Sequence, residues 1–294
     1  MLKFEGSLTA LVTPFRNGAI DEKALAGLVE RQIAGRTRGL IAVGSTGESP
    51  TLSEAEHERV VRLCVEAARG RIPVIAGAGA NDTSRAIALA RAAERAGASA
   101  LLAVTGYYNK PSQAGLIAHF RALHDASGLP VILYNVPGRT VANLSVETIG
   151  ELSLLPRIVG LKDATGDLAR VALQRLASGP AFTLLSGEDM TAVGFNAMGG
   201  RGCISVSSNV APELCARMQE ATLKGDFDEA LALQDRLAPL NDVLFKDPNP
   251  GPVKYALSLM GLCTDELRLP LAPPPPAVKE KVREVLKGLS LIDA

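Results

Sequence analysis

Eight short apolar runs recur along this chain: Leu8 to Val12, Leu40 to Val43, Val74 to Ala76, Ala100 to Val104, Val131 to Tyr134, Ile158 to Leu161, Phe182 to Leu185 and Cys203 to Val206. Each is bounded by Gly, Pro or polar residues, the pattern of strands covered on both faces. Start to start they lie roughly 20 to 34 residues apart, the length of a strand, a helix and two loops. The repeating unit is βα. Eight units over about 200 residues predict a (β/α)8 TIM barrel, ahead of an open doubly wound sheet.

The segments between the runs carry helix signals. Ser53 with Glu56 forms a capping box ahead of Val60, Leu63, Cys64 and Ala67, which share one helical face. Asp21 is placed to cap a helix with an inward stripe of Leu25, Leu28, Val29 and Ile33. Ser84 to Ala96 reads as a helix that stops at Gly97. From Pro212 onward the pattern is helical: Glu213 to Leu223, Phe227 to Leu244, Val253 to Leu262, and Ala277 to Leu289 after the stiff Pro273 to Pro276 connector. We therefore expect a catalytic barrel over 1–211 with a C-terminal helical extension over 212–294, in which no residue looks catalytic.

Composition narrows the function. Lys and Arg number 31, as do Asp and Glu, so a nucleic-acid clamp or a polyanionic tail is a poor expectation and a metabolite-handling protein a better one. No signal-peptide pattern opens the chain and nowhere do eighteen apolar residues run uninterrupted; the expectation is a soluble, cytoplasmic protein without membrane contact. Cys64, Cys203, Cys215 and Cys263 stand apart with no C-x-x-C pair, which fits buried small hydrophobes and neither a disulfide framework nor a zinc site. We expect no metal and no cofactor. With 4% aromatics and no Trp, the core must be aliphatic.

In a barrel the chemistry belongs at the C-terminal ends of strands. Lys162 ends the sixth run, and period-two alternation puts Ile158, Gly160 and Lys162 on one face, with Val159 and Leu161 on the other. If the smaller set points inward, the desolvation there disfavours the charged form of an amine and leaves a nucleophile able to form a Schiff base with a ketone. The alternative is a surface lysine just past a strand. Tyr134 shares its face with Ile132 on the neighbouring strand, where a phenol can shuttle the protons that Schiff-base chemistry requires, or simply pack with its hydroxyl satisfied. Ser45, on a third strand end, can pass the proton onward. Arg139, in a Pro-Gly-Arg turn, either grips a substrate carboxylate or lies on the surface. The Ser45-Thr46-Gly47 turn offers N–H groups and hydroxyls for a second carboxylate.

Other candidates carry less. Gly77-Ala78-Gly79-Ala80-Asn81 lacks the full dinucleotide fingerprint, and no Walker A sequence is present. His57, His119 and His124 fall within predicted helices as solvated or packed side chains, and Glu188 and Asp189 read as exposed acids opening a helix.

At these residues the chain strongly resembles the dihydrodipicolinate synthase family, also called 4-hydroxy-tetrahydrodipicolinate synthase, of the pyruvate-dependent class I aldolase superfamily. The likeness spans nearly the whole chain. It rests on Val12-Thr13-Pro14, Gly44-Ser45-Thr46-Gly47-Glu48, Tyr107-Tyr108-Asn109-Lys110-Pro111, Tyr134-Asn135-Val136-Pro137-Gly138-Arg139-Thr140, Lys162-Asp163-Ala164-Thr165-Gly166 and Asn249-Pro250-Gly251-Pro252-Val253-Lys254. The resemblance implies a lyase that condenses pyruvate, as a Schiff base on Lys162, with aspartate semialdehyde in lysine and diaminopimelate synthesis. It also implies a proton relay of Tyr134, Ser45 and Tyr108, the last reaching in from a neighbouring subunit of a homotetramer. Thr46 would bind the pyruvate carboxylate, Gly187 and the Ile204 backbone would lie near it, and Arg139 would receive the second substrate.

Two departures stand out. Ser45 replaces the usual Thr and lacks the methyl that helps fix its rotamer; sialic-acid lyases of the superfamily also have Ser, but lack Arg139 at this turn. Gly106 replaces a usual Pro, which loosens the loop carrying Tyr108. In lysine-inhibited members the effector lies at a dimer interface, and the corresponding positions here are Ser49, Pro50, Glu54, His57, Asn81, Arg85 and Tyr107. Arg85 stands where those members place a Glu against the ligand's ammonium, which implies weak or absent lysine feedback. The rival expectations are another Schiff-base pyruvate aldolase acting on a sugar acid or hydroxy-oxo-acid, as in N-acetylneuraminate lyase, and a non-catalytic metabolite-binding barrel.

Overall fold

The computed structural model describes residues 3–293. Every apolar run named above supplies a strand: β1 (Gly6–Ala10), β2 (Gly39–Ala42), β3 (Val74–Gly77), β4 (Ala100–Val104), β5 (Val131–Asn135), β6 (Ile158–Asp163), β7 (Thr183–Ser186) and β8 (Gly202–Ser205). Each pairs in parallel with its sequence neighbours, and β1 closes the barrel by pairing with both β2 and β8. A short antiparallel ribbon, Phe15–Arg16 with Ala19–Ile20, stands outside the barrel.

Alternation along each strand sorts the apolar side chains into two cores. Leu8, Ile41, Ile75, Leu102, Ile132 and Ile204 fill the barrel, while residues such as Leu40, Leu101, Leu133 and Leu161 pack outward under the helices. Nearly all are aliphatic, as the composition requires. The pattern breaks once. Between β5 and β6 the register steps from Val131 opposite Ile158 to Ile132 opposite Gly160. The unpaired Val159 is a bulge, so Val159 joins the inner cluster and Ile158 the outer one, the reverse of the expected alternation at those two residues. Beyond the bulge the parity is restored: Tyr134 stands opposite Lys162, and both belong to the inward set.

The helix signals hold. Ser53 and Glu56 make a reciprocal capping box on the helix Glu54–Ala68. Asp21 accepts the Ala24 N–H at the start of Glu22–Ala34. The third helix starts one residue earlier than expected, at Thr83, because Asp82 caps it by accepting the Ser84 and Arg85 N–H groups. The C-terminal helices are Pro212–Lys224, Phe227–Val243, Gly251–Leu259 and Pro276–Gly288. The boundary proposed at 211/212 falls between β8 and a helix that packs against β1. All four cysteines are free and buried. No described helix is long and apolar enough to cross a membrane.

Candidate active site

The cradle is a cavity of about 340 Å³ lined by residues that follow β2, β3, β4 and β5 and by a late segment of the chain, among them Ser45, Ser49, Arg85, Tyr107, Tyr134, Arg139 and Asn249. Gly77, Gly79 and Ala80 lie on its wall, and the two glycines serve close packing. A Cβ on Gly77 would stand 2.3 Å from the Val43 carbonyl oxygen, and one on Gly79 2.3 Å from the Val104 nitrogen. Only glycine lets these strand ends approach so closely.

Lys162 is 6% exposed, and its Nζ stands 4.2 Å from the centroid of the Tyr134 ring. On its other side a Cβ built on Gly187 would lie 2.9 Å from Lys162 Cε. The amine is thus held between an aromatic wall and a glycine, and it forms no ion pair among the described residues. Tyr134 is 8% exposed and lines the cavity, and no hydrogen bond to its hydroxyl forms among the described residues. The phenol is therefore not spent on packing. Ile204 lies inside the barrel on β8.

Arg139 projects from the short helix Pro137–Thr140, which is secured from below. Asn135 donates to Asn143 Oδ1 at 2.9 Å and accepts the Leu144 N–H at 3.0 Å, while Thr140 donates to the carbonyl oxygens of Val136 and Ala142. The guanidinium is exposed at the cavity mouth and pairs with no described acid.

Ser45 and Thr46 sit on the turn after β2. Ser45 faces the cavity; Thr46 is 3% exposed and its Oγ1 accepts a hydrogen bond from Asn249 Nδ2 at 2.9 Å. Thr13 Oγ1 donates to the Gly47 carbonyl oxygen at 2.7 Å, which ties the turn to the end of β1. Glu48 has a left-handed backbone, φ 55°, and its carboxylate pairs with Lys254 Nζ at 2.5 Å, both side chains fully buried.

Tyr108 does not reach this site within its own chain. It is 88% exposed, with φ 73°, while Tyr107 beside it lines the cavity. Of the positions matched to an effector site, Ser49, Pro50, Arg85 and Tyr107 line the same cavity as Ser45 and Tyr134. His57 is buried in its helix with Nε2 2.8 Å from the Gly77 carbonyl oxygen, and Asn81 accepts from Asn109 Nδ2 through its backbone. His119 and His124 are likewise packed, against Thr83 Oγ1 and Asp125.

The two acids after β7 differ from expectation. Asp189 is buried and accepts the N–H groups of Val206 and Ser207, because a hydrogen-bonded carboxylate is what ties the ends of β7 and β8 together. Glu188 is half-buried, and that burial, followed by the charge of Asp189, pushes its carboxyl above the usual range. Asn249, Glu48 and Lys254 are the parts of the site to which sequence reasoning gave no role. The Asn249 to Lys254 segment was visible as a motif, but nothing local indicates that it packs on a turn some 200 residues earlier.

Comparison with known proteins agrees with this architecture. Residues 3–289 match the model of the dihydrodipicolinate synthetase family. The chain belongs to that family. A relative from Parvibaculum lavamentivorans, named 4-hydroxy-tetrahydrodipicolinate synthase, is 59% identical over 99% of this chain and 100% of its own length. One of the same name from Rhodospirillum centenum is 56% identical over 98% and 99%. Among solved structures, the chloride-inhibited dihydrodipicolinate synthase from Acinetobacter baumannii complexed with pyruvate is 44% identical, covers 99% of this chain and 100% of its own, and superposes with a TM-score of 0.97. The family's members are lyases of the class I aldolase type.

Proposed function

We infer that this chain is a 4-hydroxy-tetrahydrodipicolinate synthase, condensing pyruvate with L-aspartate-4-semialdehyde on the route to lysine and diaminopimelate. The observation that carries the reading is the buried Lys162 amine, 4.2 Å from the centre of the Tyr134 ring and backed by Gly187, beside a cavity lined by the unpaired guanidinium of Arg139. The names of relatives 53 to 60% identical over nearly their full length support it, as does the pyruvate bound in the Acinetobacter enzyme.

In this reading Lys162 attacks the keto carbon of pyruvate, and the resulting carbinolamine loses water to give an imine. Tyr134 supplies the proton that leaves with that water and, with Ser45, carries away the methyl proton that converts the imine to an enamine. Thr46 and the turn's amides hold the pyruvate carboxylate, near Gly187 and the Ile204 backbone. Arg139 receives the carboxylate of the semialdehyde. The enamine carbon then attacks the aldehyde, the semialdehyde's own amine closes the ring on the former keto carbon, and the Lys162 amine is released. Tyr108 completes the relay from a neighbouring subunit; its exposure in the single chain supports a role in trans. A structural relative 40% identical is described as the first monomeric dihydrodipicolinate synthase variant, which supports an assembly of several chains, here a homotetramer, as the rule. The reading places the enzyme in the cytoplasm with its pathway. Arg85 on the cavity wall supports weak or absent feedback by lysine.

Borohydride reduction in the presence of pyruvate is the direct test. Mass spectrometry should find one reduced pyruvyl adduct, on Lys162, and a screen of aldehydes should find turnover with aspartate semialdehyde. No adduct, or an adduct on another lysine, would overturn the Schiff-base mechanism; an adduct with turnover only on sugar-acid acceptors would reassign the second substrate.

A further inference from the structure

Thr46 is 3% exposed, and its hydroxyl oxygen already accepts the Asn249 Nδ2 hydrogen at 2.9 Å. An amide nitrogen only donates, so it cannot take the threonine proton. No described group accepts that O–H, while Ser45, next to Thr46 in the turn, and Asn249, its donor, both line the cavity. Asn249 Oδ1 is itself buried with no partner among the described residues; turned over, the same amide would present that oxygen to Thr46 and absorb the proton. The polarity of one bond therefore decides whether Thr46 meets an anion as a donor or as a lone pair.

Asn249 is held in register with the turn by a second link. Two residues beyond Thr46, Glu48 pairs with Lys254 of the helix that follows Asn249, both fully buried. Lys254 also donates to the Glu266 carbonyl oxygen at 2.8 Å and lies 4.1 Å from the centre of the Phe15 ring, while the other Glu48 oxygen accepts the Arg268 N–H at 3.0 Å. Turn and helix cannot slide past each other without exposing two charges to an apolar interior.

We propose that Asn249 is a positioning residue for carboxylate binding: it occupies the Thr46 oxygen as a donor so that the threonine proton is kept for the substrate carboxylate, with the Glu48–Lys254 pair fixing the geometry. The inference rests on the Schiff-base reading above, and borohydride trapping separates the two. The test measures the pyruvate concentration giving half-maximal adduct on Lys162, alongside KM and kcat. Asn249→Asp, of the same shape but only accepting, should raise half-saturation and KM about tenfold or more, while Asn249→Ala raises them about threefold and kcat stays within about threefold. In a Thr46→Val background Asn249→Ala should add nothing further, because its effect passes through the hydroxyl.

Three results would overturn the proposal while wild-type trapping succeeds. One is Asn249→Ala proving as harmful as Asn249→Asp, the mark of a space-filling role. The others are its full effect persisting without the Thr46 hydroxyl, and a fall in kcat with half-saturation unchanged. Should Asn249→Asp fail to fold by circular dichroism, the Ala and Val cycle decides alone. Failure of wild-type trapping would remove the reading and the inference together.

Discussion

Lys162 is confined on one side by the Tyr134 ring and on the other by the absence of a side chain at Gly187. A methyl group at that glycine would meet Ala164 Cβ at 2.7 Å and Lys162 Cε at 2.9 Å, distances at which something must move, and the lysine is the more flexible of the two. Gly187→Ala should therefore lower kcat and the rate of pyruvate trapping about a hundredfold, since a displacement near 1 Å at a reacting amine costs roughly that much. Stability should change little, and paired kinetic and thermal-melting measurements check both halves. Lys162, Tyr134, Ser45 and Arg139 were each recognisable in the sequence, because a polar residue ending an apolar strand is conspicuous once the barrel is assumed. Gly187 was tied to the site only by family likeness; a close approach between segments 25 residues apart has no one-dimensional signature.

At the scale of elements, the turn after β2 and the helix Gly251–Leu259 behave as one piece joined by the Glu48–Lys254 pair. Removing one charge from a buried pair leaves the other uncompensated, so Lys254→Met should cost about 3–5 kcal/mol. Adding Glu48→Leu should recover most of that loss, since two well-packed apolar residues often replace a buried ion pair without penalty. Urea denaturation of the three proteins reads the result; a single variant no less stable than the double would refute the coupling. The capping box at Ser53 and the Asp21 cap illustrate how much of an element is local: each is satisfied within four residues of the chain. The bulge at Val159 illustrates the opposite, because it arises from the register between two strands and inverts Ile158 and Val159 without any cue in either run.

For the whole molecule, the exposed Tyr108 makes a prediction about assembly. If it acts in trans, Tyr108→Phe and Lys162→Ala subunits, each nearly inactive alone, should complement when unfolded together and refolded. Random pairing would give about half hybrids, each with one intact site, and hence about a quarter of wild-type activity; no recovery would place the tyrosine in its own chain's site or outside the reaction. The pH dependence of stability also belongs to this scale. Burial pushes the imidazoles of His57 and His119 below their ordinary 6.5. As pH falls below that value the unfolded chain takes up protons that the native chain does not, so stability is full above about pH 6.5 and declines below it. The Arg268 guanidinium holds the Glu56 carboxyl down at about 2, so its contribution is present above about 4.5 and is lost as the pH falls toward 2. Denaturation midpoints measured from about pH 7.5 down to about pH 4 should fall steadily; a flat profile would contradict the assignment of buried neutral histidines. With 31 charges of each sign the molecule has no overall field to attract anionic substrates, so the proposed mechanism leaves that task to local groups such as Arg139 and the Ser45–Thr46 turn.

By itself the sequence determined the βα rhythm, the caps, the aliphatic two-layered core and the polar residues at strand ends. These follow from periodicity and from hydrogen bonds that close within a few residues. Only the tertiary structure decided which of those residues meet. Closure of the barrel placed Tyr134 opposite Lys162, and the return of the chain brought Asn249 and Lys254 onto Thr46 and Glu48, 203 and 206 residues away. Burial turned Asp189 from an expected surface acid into a tie between β7 and β8. Contacts of that separation depend on how the whole chain packs, and a local pattern of apolar and polar residues carries no record of them.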